Sequence, residues 1–523
     1  MKSENTCLWS CFALILLAFH LGSDPSPSPR AEAKSLKKAA APSSQRLEAI
    51  ESLMNYMAEY DDFSGTVLLS EKGKTVYEKA FGNANRELGI KNTMNTAFDA
   101  ASSIKPLVAA GALKLCENGK MSLDDEFASS FPDFPYRGVK IKHLLSHTSG
   151  LPEYAHNPAF DAYMANKMKE DPRHQVSNED LIDWLRVYHK PKFEPGEKFA
   201  YCNANYVLLC SLIEKVSGLS FFAFIREYIL KPADMTRSKL YDELGDYEPQ
   251  DRAVGYDRTL EGNFAPFSSS GHIKGFLGDG GLYTTAGDLR KFLFAFLEGR
   301  IVSAKWRDMA LTPFELNSGK SGLYGFGWII RGEGYEGRPL TYKHGGRWEG
   351  FLNAFAYEPG SGHSIIVFSN TNIYPPTIGD LEKAFSYALS GNEPPLPRFP
   401  LAAAMGRILF RQGIGEAVAS FQNLKTGSRP RYVVNENEMN YLALQLVWAN
   451  KKNEALRILE LNAKEFTESS NNYDSIGDIY LELGRPDKAR EAYERALLID
   501  PNNQGARKSL DAIKSSPQSA AKR

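Results

Sequence analysis

The chain of 523 residues has almost no charge bias and few cysteines. Lys+Arg total 62 and Asp+Glu 63, a formal net charge of −1. That balance lacks the basic footprint that nucleic acid or an anionic membrane surface requires. Of the five cysteines, Cys7 and Cys11 fall in the N-terminal leader, leaving Cys116, Cys202 and Cys210. No C-x-x-C occurs, so neither a zinc knuckle nor a redox pair is indicated. If Cys202 and Cys210 share a helix they stand about 12 Å apart, beyond disulfide reach. A G-x-S-x-G elbow is also missing, so an α/β-hydrolase is not supported. The long apolar run at the start spans residues 8–21. With the charge of Lys2 before it and Ala31-Glu32-Ala33 after it, this run reads as a signal peptide over residues 1–33. A secreted or periplasmic protein is expected, with no transmembrane segment beyond the leader. Glu4 offsets Lys2 and the polar stretch before Ala33 is long, so cleavage near Gly22, or retention as an anchor, is the alternative.

What remains has ordinary globular composition, 43% hydrophobic and 24% charged. Residues 44–60 carry Leu47, Ile50, Leu53, Met54 and Met57 at helical spacing. Residues 65–70 and 74–80 read as strands of a hairpin around Glu71-Lys72-Gly73. Residues 124–311 are mostly helices and loops. Strands are expected again at 324–331, 340–344, 351–357 and 364–369, then a helix at 377–389. Strands, a helical insertion and strands again imply an α+β fold: an antiparallel sheet flanked by helices, with an inserted helical subdomain. After Pro394-Pro395-Leu396-Pro397 the chain turns helical and repeats. Tyr473, Ile476, Gly477, Tyr480, Ala489, Tyr493, Ala496 and Pro501 occupy tetratricopeptide positions. Leu442, Leu446, Ala455 and Leu459 keep part of the pattern one period earlier. The expected division is residues 1–33 leader, 44–391 a first globular domain and 401–514 an all-α repeat domain. Such repeats expose a face suited to a protein partner.

The stretch Phe98-Asp99-Ala100-Ala101-Ser102-Ser103-Ile104-Lys105 holds Ser-x-x-Lys ahead of an apolar helix. Spacing i, i+3 puts the Lys105 amine on the same helical face as the Ser102 hydroxyl. The helix start, rich in unpaired N–H groups, favours an oxyanion nearby. Pro106 requires the helix to begin no earlier than about Ser102. Alone, this pattern is common by chance, and a serine at a helix start is usually a cap. Three further pieces follow it in order: Leu145-Ser146-His147-Thr148-Ser149-Gly150-Leu151-Pro152, then Tyr201-Cys202-Asn203, then His344-Gly345-Gly346.

With these four motifs, residues from about Phe63 to Asn370 resemble the serine β-lactamase-like hydrolases: class C β-lactamases, D-alanyl-D-alanine peptidases and related esterases. The resemblance implies Ser102 as nucleophile of an acyl-enzyme, with Lys105 and Tyr201 as the candidate bases. It implies that Asn203 bonds Lys105 and the substrate, and that the N–H groups of Ser102 and Arg347 form the oxyanion hole beside Gly346. His344 stands where β-lactamases usually carry the Lys of Lys-Thr-Gly. Arg347-Trp348-Glu349 replaces a stretch usually built of small residues. Cys202 replaces Ser or Ala and reads as packing. A histidine there, mostly neutral at pH 7 or above, points to esters or small D-amino-acid amides and peptides in preference to β-lactams. No metal and no cofactor are expected. A true β-lactamase is the nearer alternative. A non-catalytic scaffold or peptidoglycan sensor working through the repeats is the alternative of another class. Gly332-x-Gly334-x-x-Gly337 leads into a strand, not a helix, and reads as a hairpin loop rather than a dinucleotide site. His143 and His147 have zinc-pair spacing but lack the accompanying Glu, and read as structural.

Overall fold

The computed structural model describes residues 43–515 apart from 60–62, 242–247, 249, 260–262, 268–274, 333–338, 372–377 and 428–431. The leader, and the greater part of the glycine-rich stretch 332–337, lie outside the described residues. Six strands form the main sheet: β1 (Gly65–Glu71), β2 (Lys74–Phe81), β3 (Ile329–Arg331), β4 (Thr341–Trp348), β5 (Phe351–Glu358) and β6 (His363–Ser369). They lie in the order β3-β4-β5-β6-β1-β2, each pair antiparallel. β1 and β2 join through Lys72 and Gly73, both at positive φ, the backbone of a tight hairpin turn. β1 is buried along almost its whole length and β2 is largely exposed, as an edge strand is.

Alternation along the central strands sends side chains to two cores. Val67 and Leu69 of β1, with Ile365 and Val367 of β6, pack under α1 (Ser43–Glu59) and a helix at Ile378–Leu389. Leu68, Ile366 and Phe368 face the larger core. That core receives α2 (Lys105–Glu117), α3 (Ala204–Ser217) and a helix at Ala286–Leu297. α2 is buried nearly all round, which fits its run of Leu107, Val108, Ala109, Ala110, Ala112 and Leu113. Insertion of residues 82–328 between β2 and β3 supplies these helices. The architecture is α+β, with an antiparallel sheet between helices.

Phe399 sits in the smaller sheet-side core, its ring tilted against that of Tyr56 at 5.6 Å between centroids. Leu401, two residues on, belongs to a separate helical core with Met405, Leu442, Leu446, Ala455 and Leu459. From there helices run in succession, Leu401–Gln412 to Gln504–Ser515. In the last pairs Ala489, Tyr493 and Ala496 pack with Ala506 and Leu510. No single helix among the described residues is long and apolar enough to cross a membrane.

Candidate active site

Ser102 does not open an α-helix. Residues Ala101–Ile104 form a 3-10 turn, and the α-helix begins at Lys105 with Pro106 in its first turn, where a missing N–H costs nothing. Ala101 takes φ 44°, a left-handed conformation that costs a residue with a side chain on the order of 1–3 kcal/mol. Three ties hold this turn. Asp99 Oδ1 accepts from Ala101 N at 2.8 Å, and its Oδ2 accepts from Tyr241 Oη at 2.6 Å. Asn353 on β5 donates through Nδ2 to Ala100 O at 2.9 Å, and its Oδ1 accepts from Ser103 Oγ. Gly346 on β4 lies so close that a Cβ there would stand 2.4 Å from Ala100 O. Ser102 is partly exposed while Ala101, Ser103, Ile104 and Lys105 are buried.

Lys105 Nζ lies 2.8 Å from Ser102 Oγ, 2.9 Å from Asn203 Oδ1 and 3.3 Å from Asp279 O. It also sits 5.2 Å from the ring centroid of Tyr201 and 5.6 Å from that of Tyr206. Asn203 occupies the residue before α3, so the Tyr201-Cys202-Asn203 stretch is a helix entrance aimed at the lysine. The thiol of Cys202 is buried against Leu151 O and Pro152 O, both at 3.6 Å, and burial raises its pKa. Neither feature suits a nucleophile.

His147 fills the space behind Tyr201. Its ring lies 4.2 Å from that of Tyr201, 5.0 Å from Tyr206 and 4.7 Å from Tyr324. Nδ1 accepts from Cys202 N at 3.1 Å, so the imidazole fixes the backbone directly after Tyr201. Burial, and the nearby charge of Lys105, hold its pKa well below the usual value. His143, its expected partner in spacing, instead accepts from Lys140 N at 3.2 Å through Nδ1, closing a helix start.

His344 is buried beneath the strand. Nε2 lies 3.0 Å from Tyr324 Oη and Nδ1 lies 2.8 Å from Gly345 O. Burial first, and the charge of Lys105 second, lower its pKa to about 3, so the ring is neutral at any physiological pH. Gly345 and Gly346 continue the strand past the Ser102 turn, and Arg347 is exposed at its far end, paired across to Leu352. The guanidinium also reaches electrostatically to Glu438 of the repeat region, lowering a carboxyl that burial raises.

The structure thus gathers Ser102, Lys105, Tyr201 and Asn203 in one cluster. Gly346 and Arg347 run alongside, and His344 is set behind. Four contributors lie outside the sequence motifs: Asn353, Tyr241, Asp279 and Glu153, whose Oε2 accepts from Asn203 N at 2.6 Å. Each works through a contact between residues distant in sequence, or through a backbone atom, and none carries a local motif.

A serine hydrolase built on Ser-x-x-Lys is the class that this fold defines. The chain belongs to the beta-lactamase family, whose pattern residues 52–388 match, and residues 471–503 match a tetratricopeptide repeat. Penicillin-binding protein 4* of Bacillus subtilis is 30% identical over 412 residues, covering 76% of this chain and 87% of the relative. The octameric penicillin-binding protein homologue from Pyrococcus abyssi superposes with a TM-score of 0.56 at 28% identity, covering 70% of this chain and 81% of its own. A D-amino acid amidase from Ochrobactrum anthropi shares the fold at a TM-score of 0.52 and 21% identity, over 62% of this chain and 91% of its own.

Proposed function

We propose that the protein hydrolyses esters or small D-amino-acid amides and peptides through an acyl-enzyme on Ser102. The observation that carries this reading is the 2.8 Å contact between Lys105 Nζ and Ser102 Oγ, with Ser102 accessible and Lys105 enclosed. Lys105 takes the Ser102 proton on its amine lone pair as Oγ attacks the acyl carbon. The proton then passes to the leaving group, by Lys105 directly or through Tyr201. Water deacylates the enzyme by the reverse path. The N–H groups of Ser102 and Arg347 are assigned to the oxyanion.

The substrate class rests on His344. A lysine at this place on the strand stays cationic and attracts a carboxylate, whereas the buried imidazole is neutral and already bonded to Tyr324. Esters and uncharged amides lose little by that change, and β-lactams lose a counter-charge. Export follows from the charged start and short apolar core of residues 1–33, and sequencing the N-terminus of the secreted protein tests it.

The functional test is labelling by a fluorophosphonate probe followed by mass spectrometry, together with steady-state rates on short-chain esters, a D-amino-acid amide and a chromogenic cephalosporin. Label on Ser102 and a kcat/KM highest for an ester or amide are expected. Label elsewhere would remove the nucleophile from this reading. A cephalosporin turned over well above every ester and amide would replace the substrate class with a β-lactamase.

A further inference from the structure

Glu153 and Tyr154 directly follow the His-Thr-Ser-Gly-Leu-Pro stretch and belong to no motif. Both stand behind Lys105. Oε2 of Glu153 accepts from Asn203 N at 2.6 Å, while Oε1 accepts from Tyr154 N at 3.0 Å and Ala155 N at 3.1 Å. Tyr154 is buried, and its Oη donates to Asp279 Oδ2 at 2.6 Å. Among the described residues, Asn203 and Asp279 are the two that, besides Ser102, hydrogen-bond the lysine amine.

The geometry matters because of what a neutral amine can do. It has two N–H donors and one lone pair. Asn203 Oδ1 and the Asp279 carbonyl are acceptors, so they take the two N–H groups. The lone pair is then left facing the third neighbour, Ser102 Oγ, as a base requires. A rotation of either acceptor frees the amine to turn its lone pair away. We propose that Glu153 and Tyr154 act together as positioning residues for the Lys105 amine, one by holding Asn203 and the other by holding Asp279. The inference rests on the reading of Ser102 and Lys105 given above. The charged or titratable groups that face Glu153 are Asp279, Lys105, Cys202 and Tyr154. Burial raises its carboxyl above the usual range, and the N–H bonds it accepts from Asn203 and Ala155 work the other way.

The test uses the full chain and p-nitrophenyl acetate, with Ser102→Ala as the control. Glu153→Gln offers an NH2 group where three N–H donors converge. A kcat at least tenfold lower is expected, with KM within threefold. Glu153→Asp keeps a carboxyl acceptor and is expected to recover part of that loss. Tyr154→Phe deletes one hydroxyl and is expected to lower kcat several-fold with little change in KM. The inference is overturned if both Glu153→Gln and Tyr154→Phe fold and retain kcat within twofold while Ser102→Ala is inactive. Should Glu153→Gln fail to fold, Tyr154→Phe decides alone. If Ser102→Ala itself remains active, the reading of the nucleophile fails, which is a different result.

Discussion

At the scale of single residues, Gly346 sets the distance between β4 and the turn that carries Ser102. A methyl group there would meet Ala100 O at 2.4 Å and Ala101 Cβ at 2.9 Å, both on the strained turn. Gly346→Ala is therefore expected to destabilise the fold by about 1–3 kcal/mol, the usual range for overpacking. It should lower kcat further than that loss alone explains, because the strand carries the Arg347 N–H. Urea midpoints and ester rates on the same preparation separate the two effects. Ser102→Ala should leave the urea midpoint nearly unchanged and abolish turnover. Lys105→Ala and Tyr201→Phe should each cost about a hundredfold or more in kcat/KM, as acid–base groups do. Ser102 and Lys105 are paired by their local spacing, whereas Asn203, 98 positions beyond Lys105, and Tyr201 beside it are placed with them by the family resemblance. Asn353 was readable from neither, since its partners Ala100 and Ser103 lie about 250 residues earlier. The burial of His344 was equally hidden. Which face of a strand is enclosed depends on helices that sequence spacing does not place.

At the scale of elements, the strands with clear alternation were legible: the hairpin, β5 and β6 form within a residue or so of expectation. The stretch 324–331 forms a strand only over Ile329–Arg331. Its first half spends its backbone groups on another segment, with Phe314 N donating to Tyr324 O and Phe326 N to Ala310 O. β4 runs on to Trp348, beyond the expected end at His344, because β5 offers partners through Phe351. The boundary between the two cores, at Phe399 and Leu401, decides where the repeats can be cut away. A cut after Gly391 removes Phe399 from the sheet-side core, and also the Pro397 carbonyl that accepts from Tyr56 Oη. Loss of a buried phenylalanine costs about 3–5 kcal/mol. A chain ending at Pro400 should therefore stay soluble and active on esters. One ending at Gly391 should melt several degrees lower. Thermal scans and ester rates on the two products check this.

For the whole molecule, three enclosed histidines make stability depend on pH. His143 is lowered to about 4 and His344 to about 3, chiefly by burial, and His147 lies well below the usual value for the same reason. Neutral in the fold, each ring takes up a proton on unfolding below about pH 6.5. The unfolded chain then binds more protons, so stability rises with pH in this range. The contribution is complete above pH 6.5 and is lost as pH falls toward 3, by roughly 1 kcal/mol per ring at pH 6. Asp478, raised to about 6 by burial, opposes this below pH 6. A lower urea midpoint at pH 6 than at pH 7.5 is expected, and an unchanged midpoint would contradict it. The sheet order has a kinetic counterpart. β1 pairs with β6 from Gly65↔Ser369 to Glu71↔His363, and Ser70 bonds Ser364, 294 positions along the chain. During synthesis the β1–β2 hairpin emerges early, and its inner edge has no mate until the whole helical insertion has been made. An unpaired hydrophobic edge of that kind invites wrong partners, and long-range closure is slow. Dilution from denaturant should give slow refolding whose yield falls as protein concentration rises, and the nascent chain should depend on folding assistance until β6 has been synthesised.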